Sequence, residues 1–359
     1  MEVDLTATET REYGAPAVSD LGTGPADTAG HARAAGPVHE TKRYVMTPRI
    51  EDPVRVVLPR TLAVALNTAC TTQMDEHQWS AENVAAARRV LTGGGAEMLL
   101  GALAERLDRT RPSSPGWALL ALPAMLEDEE LQVAAAGVLA ALGRPFFSIR
   151  QGDGRLWIGE ETSSAKDQGS FGGTGRQGLH IDAPNVECVP EYTSLLVLRA
   201  DPAGGGTSLL GDLRTAVAQL DEIDREALRE PVFFEGQAEG LRGVGAPRMP
   251  FPVLEDREGE PIWVRWAAKM VRDQRNTGRT AVLERFTAAL EKTTVAVTLG
   301  RGQLLVVDQR RIAHGRTALG HQQGLPDGTR RWIMQAKATF DPAAPAHQTL
   351  IAAGRRGNA

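Results

Sequence analysis

Cysteine is nearly missing from this 359-residue chain, with Cys70 and Cys188 the two present. Two thiols cannot build a disulfide framework, and their spacing matches no zinc ribbon, so neither device organises the fold. Cys188, shortly after Asp182, reads as a buried inert thiol near a pocket. Aromatic side chains are scarce at 5%. No apolar run approaches the roughly 20 residues that a membrane-crossing helix needs. The N-terminus carries neither the basic start nor the apolar stretch of a secretion signal, so a cytoplasmic protein with no membrane contact is expected. A basic excess is missing too. Forty Lys and Arg face 45 Asp and Glu, for a net charge of −5, which gives no reason to expect a nucleic-acid partner. What remains is a small-molecule partner. With 42% hydrophobic residues the chain can bury a sizeable core, in one large domain or two ordinary ones.

Residues 1–40 are rich in Ala, Gly, Pro, Thr and Asp and short of large apolar groups. Such a segment cannot bury enough surface to offset its ordering entropy, and it reads as a disordered tail. A single domain is expected over 41–342. Within it, 76–144 reads as helical support after a short extended piece at Val54–Leu58. Ser80-Ala81-Glu82-Asn83 opens one helix and Gly93-Gly94-Gly95 closes it. Ala96–Leu107 places Met98, Leu99, Leu100, Leu103 and Leu107 at helical spacing, and Glu127–Leu142 is stopped by Gly143 and Pro145. From 145 to 342 the pattern changes to short strands with Gly turns. The strands expected are Phe146–Arg150, Leu156–Ile158, a series from Leu179 to Leu213, Val295–Leu299, Leu304–Val307 and Trp332–Thr339. An insertion over about 236–290 ends in a helix from Thr280, and 343–359 reads as a flexible tail. The sum is an α+β protein with a jelly-roll barrel core.

Chemistry concentrates at Gly178-Leu179-His180-Ile181-Asp182-Ala183-Pro184. Side chains two apart on a strand share a face, so His180 and Asp182 set an imidazole beside a carboxylate. His314, in Asp308-Gln309-Arg310-Arg311-Ile312-Ala313-His314-Gly315-Arg316, can complete a two-histidine, one-carboxylate set with open positions, which suits non-haem Fe(II) and O2. The competing reading makes these ordinary polar strand residues near turns. Arg331, on a strand expected to return alongside that of His314, can hold a carboxylate with its planar fork. Thr207, behind Gly204-Gly205-Gly206, can donate to the same carboxylate. Otherwise Arg330 and Arg331 are a solvated basic pair and the glycines merely a turn.

On these pieces, His180-x-Asp182, Gly205-Gly206-Thr207, the Asp308–Arg316 motif and Asp327-Gly328-Thr329-x-Arg331-Trp332, the stretch from about Leu179 to Thr339 resembles the Fe(II)/2-oxoglutarate-dependent dioxygenases. The branch is that of taurine dioxygenase and clavaminate synthase. The resemblance implies a double-stranded β-helix, with His180, Asp182 and His314 holding Fe(II), and Arg331 with Thr207 binding the C5 carboxylate of the cosubstrate 2-oxoglutarate. It implies a bacterial natural-product or amino-acid hydroxylase that consumes O2 and releases succinate and CO2. Desaturation, epoxidation or cyclisation is the alternative outcome. Close relatives carry a second arginine four residues after the cosubstrate arginine to anchor an acidic substrate group. Here that residue is Gln335. Asp182 stands where many relatives have Glu, and a carboxylate there disfavours halogenation.

Gln168, Asn185 and Gln335 are the polar residues expected to touch substrate. Arg265, with Lys269 and Arg272, can meet an anionic substrate group, although a solvated basic face is the preferred reading of that trio. A cupin-like binding barrel and a zinc hydrolase are rival readings that leave Arg331 unused, and a non-catalytic barrel is a third, which predicts a damaged ligand set where all three ligands are present. Sequence alone fixes neither the substrate nor the oligomeric state.

Overall fold

The computed structural model describes residues 50, 53–71, 79–93, 95–146, 156–163, 166, 169–186, 189–235, 250–257, 261–322, 324–326 and 328–348. The expected tail over 1–40, most of the Phe146–Arg150 strand, the start of the insertion, Gln168 and Cys188 lie outside the described residues.

Strand β1 (Arg55–Val57) leads into helices α1 (Arg60–Thr71), α2 (Ala81–Gly93) and α3 (Glu97–Leu107), then β2 (Trp117–Ala121), α4 (Asp128–Leu142) and β3 (Gly143–Phe146). Next come β4 (Ile158–Glu161), β5 (Gln177–His180), β6 (Tyr192–Arg199) and β7 (Ser208–Asp212). Helices α5 (Leu213–Ala218) and α6 (Glu222–Arg229) follow, then the short pair β8 (Leu254–Glu255) and β9 (Trp263–Val264), and α7 (Thr280–Lys292) after two 3₁₀ turns. The chain closes with β10 (Thr294–Val297), β11 (Gln303–Asp308), β12 (Ile312–Arg316) and β13 (Trp332–Phe340).

Two sheets face one another. The larger runs β1-β2-β11-β6-β13-β3, with β4 also paired to β13, and the smaller runs β10-β7-β12-β5. Strand alternation explains the layering. In β11, Leu304 and Val306 join the core that packs α1, α2, α3 and α4 against the larger sheet, whereas Leu305 and Val307 join a core between the sheets. Leu210 of β7, Val297 of β10 and Ile312 of β12 meet them there from the smaller sheet. Leu209 and Ala313 point the other way, into a third core with α5, α6, α7 and the 250–271 segment. A sheet covered on both faces needs apolar residues at consecutive positions, and for that reason these strands read as continuous runs rather than alternations.

That rule also accounts for the first correction. The stretch over 76–144, expected to be helical throughout, contains β2. Trp117-Ala118-Leu119-Leu120-Ala121 has no polar member to reveal its period, and it lies between β1 and β11. Helix α1 was not anticipated, although Leu62, Leu66 and Cys70 recur at helical spacing and are buried. Helix α4 forms where expected: Glu127 and Glu130 make a reciprocal capping box, and acidic residues fill its first turn. After Asp212 the chain forms two helices, because Asp221 caps a second start by accepting from the Asp224 N–H.

The expected C-terminal tail from 343 is packed at least to His347. His347 is buried, 5.6 Å from the Tyr192 ring and 4.5 Å from the Phe340 ring between centroids. Burial, and then the nearby Arg109 guanidinium, pushes its imidazole down to about 4. Folded His347 is therefore neutral where the unfolded chain, near 6.5, already takes up a proton, so stability falls as pH drops from about 6.5 towards 4. The loss attributable to this residue reaches on the order of 3 kcal/mol below that window. Chemical-denaturation midpoints at pH 7 and pH 5 check this: His347→Leu is expected to remove a large part of the acid-induced drop, and an unchanged drop contradicts it.

Candidate metal centre

His180 ends β5 and His314 sits mid-way along β12, and the two are direct cross-strand partners. Their rings lie 4.4 Å apart between centroids. In β12, Ile312, His314 and Arg316 alternate with outward-facing Ala313, so both imidazoles face the space between the sheets. Asp182 lies just beyond β5 rather than on it. Ala183 adopts φ 54°, a left-handed conformation that non-glycine residues seldom take, and turns the chain directly after the carboxylate. Two side chains hold this turn, Gln309 from outside the expected set and Arg265 in a role other than the one expected of it. The Asp182 N–H donates to Gln309 Oε1, while Gln309 Nε2 donates to the Pro190 carbonyl. Arg265 Nη1 donates to the carbonyls of Pro184 and Val186 at 2.9 and 2.7 Å.

The outcome is a compact donor set. Asp182 Oδ1 is 4.0 Å from Nε2 of His180 and 4.0 Å from Nε2 of His314, and the three ligand atoms lie within 4.8 Å of one another. His180 Nδ1–H donates to the Gly178 carbonyl at 2.9 Å, which leaves the Nε2 lone pair for the cavity. Burial, with His180 alongside, pushes His314 down to about 3, and burial also lowers His180, so both imidazoles are neutral at physiological pH. Burial alone would raise Asp182. The Lys337 ammonium foremost, with a hydrogen bond from Thr193, overcomes it and holds the carboxyl well below its usual range. Neutral imidazoles and an ionised carboxylate are what a divalent cation requires of its ligands. The residues fit a metal.

The same cavity, of about 340 Å³, is lined by His180, Asp182, His314, Asn185, Gln335 and Arg331 of the expected set. Arg331 is 5% exposed, and its guanidinium has no acceptor among the described residues. Burial, then the adjacent Arg316 guanidinium, pushes it down to about 9, leaving it cationic at neutral pH. Its route into the cavity differs from the expected one. β13 does not return beside β12; it lies in the opposing sheet between β6 and the β3/β4 pair, so Arg331 arrives from the facing wall. Arg330 is turned away, with Nη2 donating to the Leu325 carbonyl.

Thr207 does not line the cavity. Its N–H donates to Thr317 Oγ1 and its carbonyl accepts from the Thr317 N–H, while the next residue, Ser208, faces the cavity. Arg265 fits neither expectation, since it is fully buried, away from solvent, and ion-paired to Glu255 at 2.6 Å. Arg272 is exposed. Lys269 lines the cavity and pairs with the buried carboxylate of Glu235. Gln335 turns its Nε2 onto Asp182 Oδ2 at 3.1 Å, so its amide serves the ligand carboxylate. Sequence reasoning missed Lys337, Glu235, Arg316 and Gln309. Lys337 was findable, because it follows Gln335 by two along a strand whose neighbours Ile333 and Gln335 face inward. Glu235 had no such signal. The Asp308–Arg316 motif is largely architectural: Arg310 pairs with Glu191, Arg311 with Asp212, and Arg316 Nη2 donates to the carbonyls of Gly173 and Gly175.

Two neutral imidazoles and one carboxylate, mounted between facing sheets beside a buried guanidinium, make up the donor set that a two-histidine, one-carboxylate centre of the non-haem-iron type uses. Comparison with known proteins agrees. The model of the family described as taurine catabolism dioxygenase TauD, TfdA matches residues 116–267. Those residues, less than half of the chain, are similar to that dioxygenase family. The L-asparagine oxygenase of Streptomyces coelicolor is 31% identical over 176 residues, covering 48% of this chain and 50% of that protein. The L-lysine 3-hydroxylase of Catenulispora acidiphila is 26% identical over 196 residues, covering 51% of each. The chain thus spans about half the length of these curated relatives. Among solved structures, asparagine oxygenase with Fe(II), 3-hydroxyasparagine and succinate superposes with a TM-score of 0.63 at 23% identity, covering 80% of this chain and 93% of that one. The non-haem iron oxygenase OrfP with Fe and α-ketoglutaric acid gives 0.61 at 17%, covering 82% and 98%. The family match stops short of His314 and Arg331, so their place in the site rests on geometry.

Gly206 makes that geometry testable. It adopts φ 73°, and a Cβ there would fall 2.6 Å from Leu319 Cδ2 and 3.3 Å from Cδ and Nε of Arg331. Gly204, at φ 79°, has nothing within 4 Å of the equivalent point. Both Gly→Ala changes are expected to cost about 1 kcal/mol of stability. Gly206→Ala alone should also weaken 2-oxoglutarate binding several-fold. Thermal melts and calorimetric titration of both variants separate the two effects.

Proposed function

We propose that this protein is an Fe(II)- and 2-oxoglutarate-dependent oxygenase that hydroxylates an unactivated C–H bond of a small amino-acid-like substrate. The two facing sheets are read as its double-stranded β-helix. The observation that carries the reading is the convergence, in one cavity, of a neutral-imidazole and carboxylate triad with a buried guanidinium that has no acceptor among the described residues. The named relatives, an asparagine oxygenase and a lysine 3-hydroxylase, support the reaction class and the amino-acid scale of substrate.

His180, Asp182 and His314 would hold the iron, which supplies the O2 chemistry that side chains lack. The balance is substrate, O2 and 2-oxoglutarate to hydroxylated substrate, succinate and CO2. Arg331 provides a fork for the distal carboxylate of the cosubstrate, and Ser208 lines the same cavity with a hydroxyl that can assist. Arg316 keeps the 170–175 loop against the cavity through carbonyl acceptors, which restricts water at that wall. Glu235 and Lys269 form a charged pair at the cavity, with Asn185 Nδ2 donating to the Glu235 carbonyl. A substrate ammonium group can displace the Lys269 side chain, which is more than half exposed, and take over the buried Glu235 carboxylate.

Anaerobic difference absorption tests the class. Adding Fe(II) and then 2-oxoglutarate to the metal-free protein is expected to produce a weak visible charge-transfer band only when both are present. His314→Ala should abolish the band. Arg331→Ala should raise the 2-oxoglutarate requirement roughly 100-fold, the scale of a lost charge-assisted pair, with Fe(II) affinity little changed. Arg330→Ala should leave both as they are. An intact, iron-binding protein that gives no band overturns the cosubstrate assignment.

For substrate recognition, Glu235→Gln should raise KM for an amino-acid substrate at least tenfold and leave uncoupled succinate release intact. A change confined to succinate release would place Glu235 elsewhere in the machinery.

A further inference from the structure

The two oxygens of Asp182 are not equivalent. Oδ1 faces both imidazoles, at 4.0 Å from each Nε2. Oδ2 faces the opposite wall, where Gln335 Nε2 donates to it at 3.1 Å and Lys337 Nζ stands 4.0 Å away. Gln335 Nε2 also lies 3.3 Å from Thr193 Oγ1, and Lys337 Nζ donates to Gln335 Oε1 at 3.3 Å. All three residues are buried. Their meeting follows from the strands: Gln335 and Lys337 are two apart on β13, and Thr193 is the cross-strand partner of Lys337 on β6.

An amide has a donor end and an acceptor end, and a flip exchanges them. An ammonium group has only donors. With Lys337 beside it, the Gln335 amide must present Oε1 to the lysine and therefore Nε2 to Asp182. The reversed amide would set two donors against each other and two acceptors against each other.

We infer that Lys337 and Gln335 form an outer relay that fixes the metal-binding carboxylate. Lys337 orients the Gln335 amide, and the amide occupies Asp182 Oδ2 and leaves Oδ1 for the cation. This rests on the metal-centre reading above and extends it: both are positioning residues, and neither is a substrate contact. Hydrogen-bonded partners of a ligand commonly govern metal affinity by 10–100-fold.

The test is calorimetric titration of Mn(II) into the full-length metal-free protein at fixed pH, without cosubstrate. Gln335→Leu should weaken Mn(II) binding on the order of tenfold, with the metal-free melting temperature unchanged. Lys337→Met has two opposing effects on a cation site: it frees the amide to rotate, and it removes a like charge. It should therefore act less favourably on affinity in the wild type than in the Gln335→Leu background, where only repulsion is relieved. That difference between backgrounds is the coupling that a relay requires. Equal effects in both backgrounds, or wild-type affinity in Gln335→Leu, overturn the relay while leaving the metal centre standing. A wild-type protein that binds no Mn(II) overturns both.

Discussion

The period of two along strands that are buried on both faces is the constraint from which the rest of this molecule follows. Once both sides of a sheet are covered, each residue is committed to one of two interiors. In β12 that commitment sends Ala313 to the helical side and His314 between the sheets. In β13 it sends Met334, Ala336 and Ala338 to the helices and leaves Gln335 and Lys337 between the sheets. The space between the sheets is apolar at one end, where Leu195, Leu210, Val297 and Leu305 meet, and polar at the other. A one-residue slip of β12 would exchange His314 for a neighbour and destroy the site together with the core.

This constraint also sets how much could be read in advance. His180, Asp182, His314 and Arg331 were legible because each sits in a short motif whose residue types suit one chemistry. Strands β6, β7 and β11 were legible as apolar runs between turn residues. What escaped is informative. β2 hid inside a helical context because a strand buried on both faces carries no period. Arg331 reaches the cavity by a route other than the one expected, since residue spacing says nothing about which sheet a strand joins. Thr207 was chosen for its hydroxyl, yet its backbone is committed to Thr317 and Ser208 holds the lining position. Arg265 was weighed as a surface or substrate cation. Its buried role, gripping the turn after Asp182, depends on a contact 81 positions away along the chain that no local pattern announces.

Electrostatics complete the account. The cavity has few groups that cancel locally. Asp182 is matched by Lys337 from the opposite sheet, and Glu235 by Lys269. Arg316 and Arg331, by contrast, are buried neighbours of like sign. Arg316 is satisfied in part by loop carbonyls, while Arg331 has no acceptor among the described residues. Burial and mutual repulsion both act against holding that second cation, as the lowered position of Arg331 expresses. A carboxylate bound there would offset that cost.

The same reasoning separates the two anion-handling ends of the cavity. At Arg331 the guanidinium donates to no acceptor among the described residues, with the Asp201 charge only partly offsetting its burial, which suits a ligand that comes and goes. At Lys337 the positive charge is already engaged through Gln335 with a carboxylate belonging to the protein. Position 335 therefore cannot act as a free anion anchor without releasing Asp182. An amide there is consistent with a substrate whose recognition relies on the Glu235–Lys269 end rather than on a second arginine. Arginine at 335 would bring a fixed cation against Asp182 and Lys337 together, and the ligand carboxylate would then be drawn from the imidazoles toward the opposite wall.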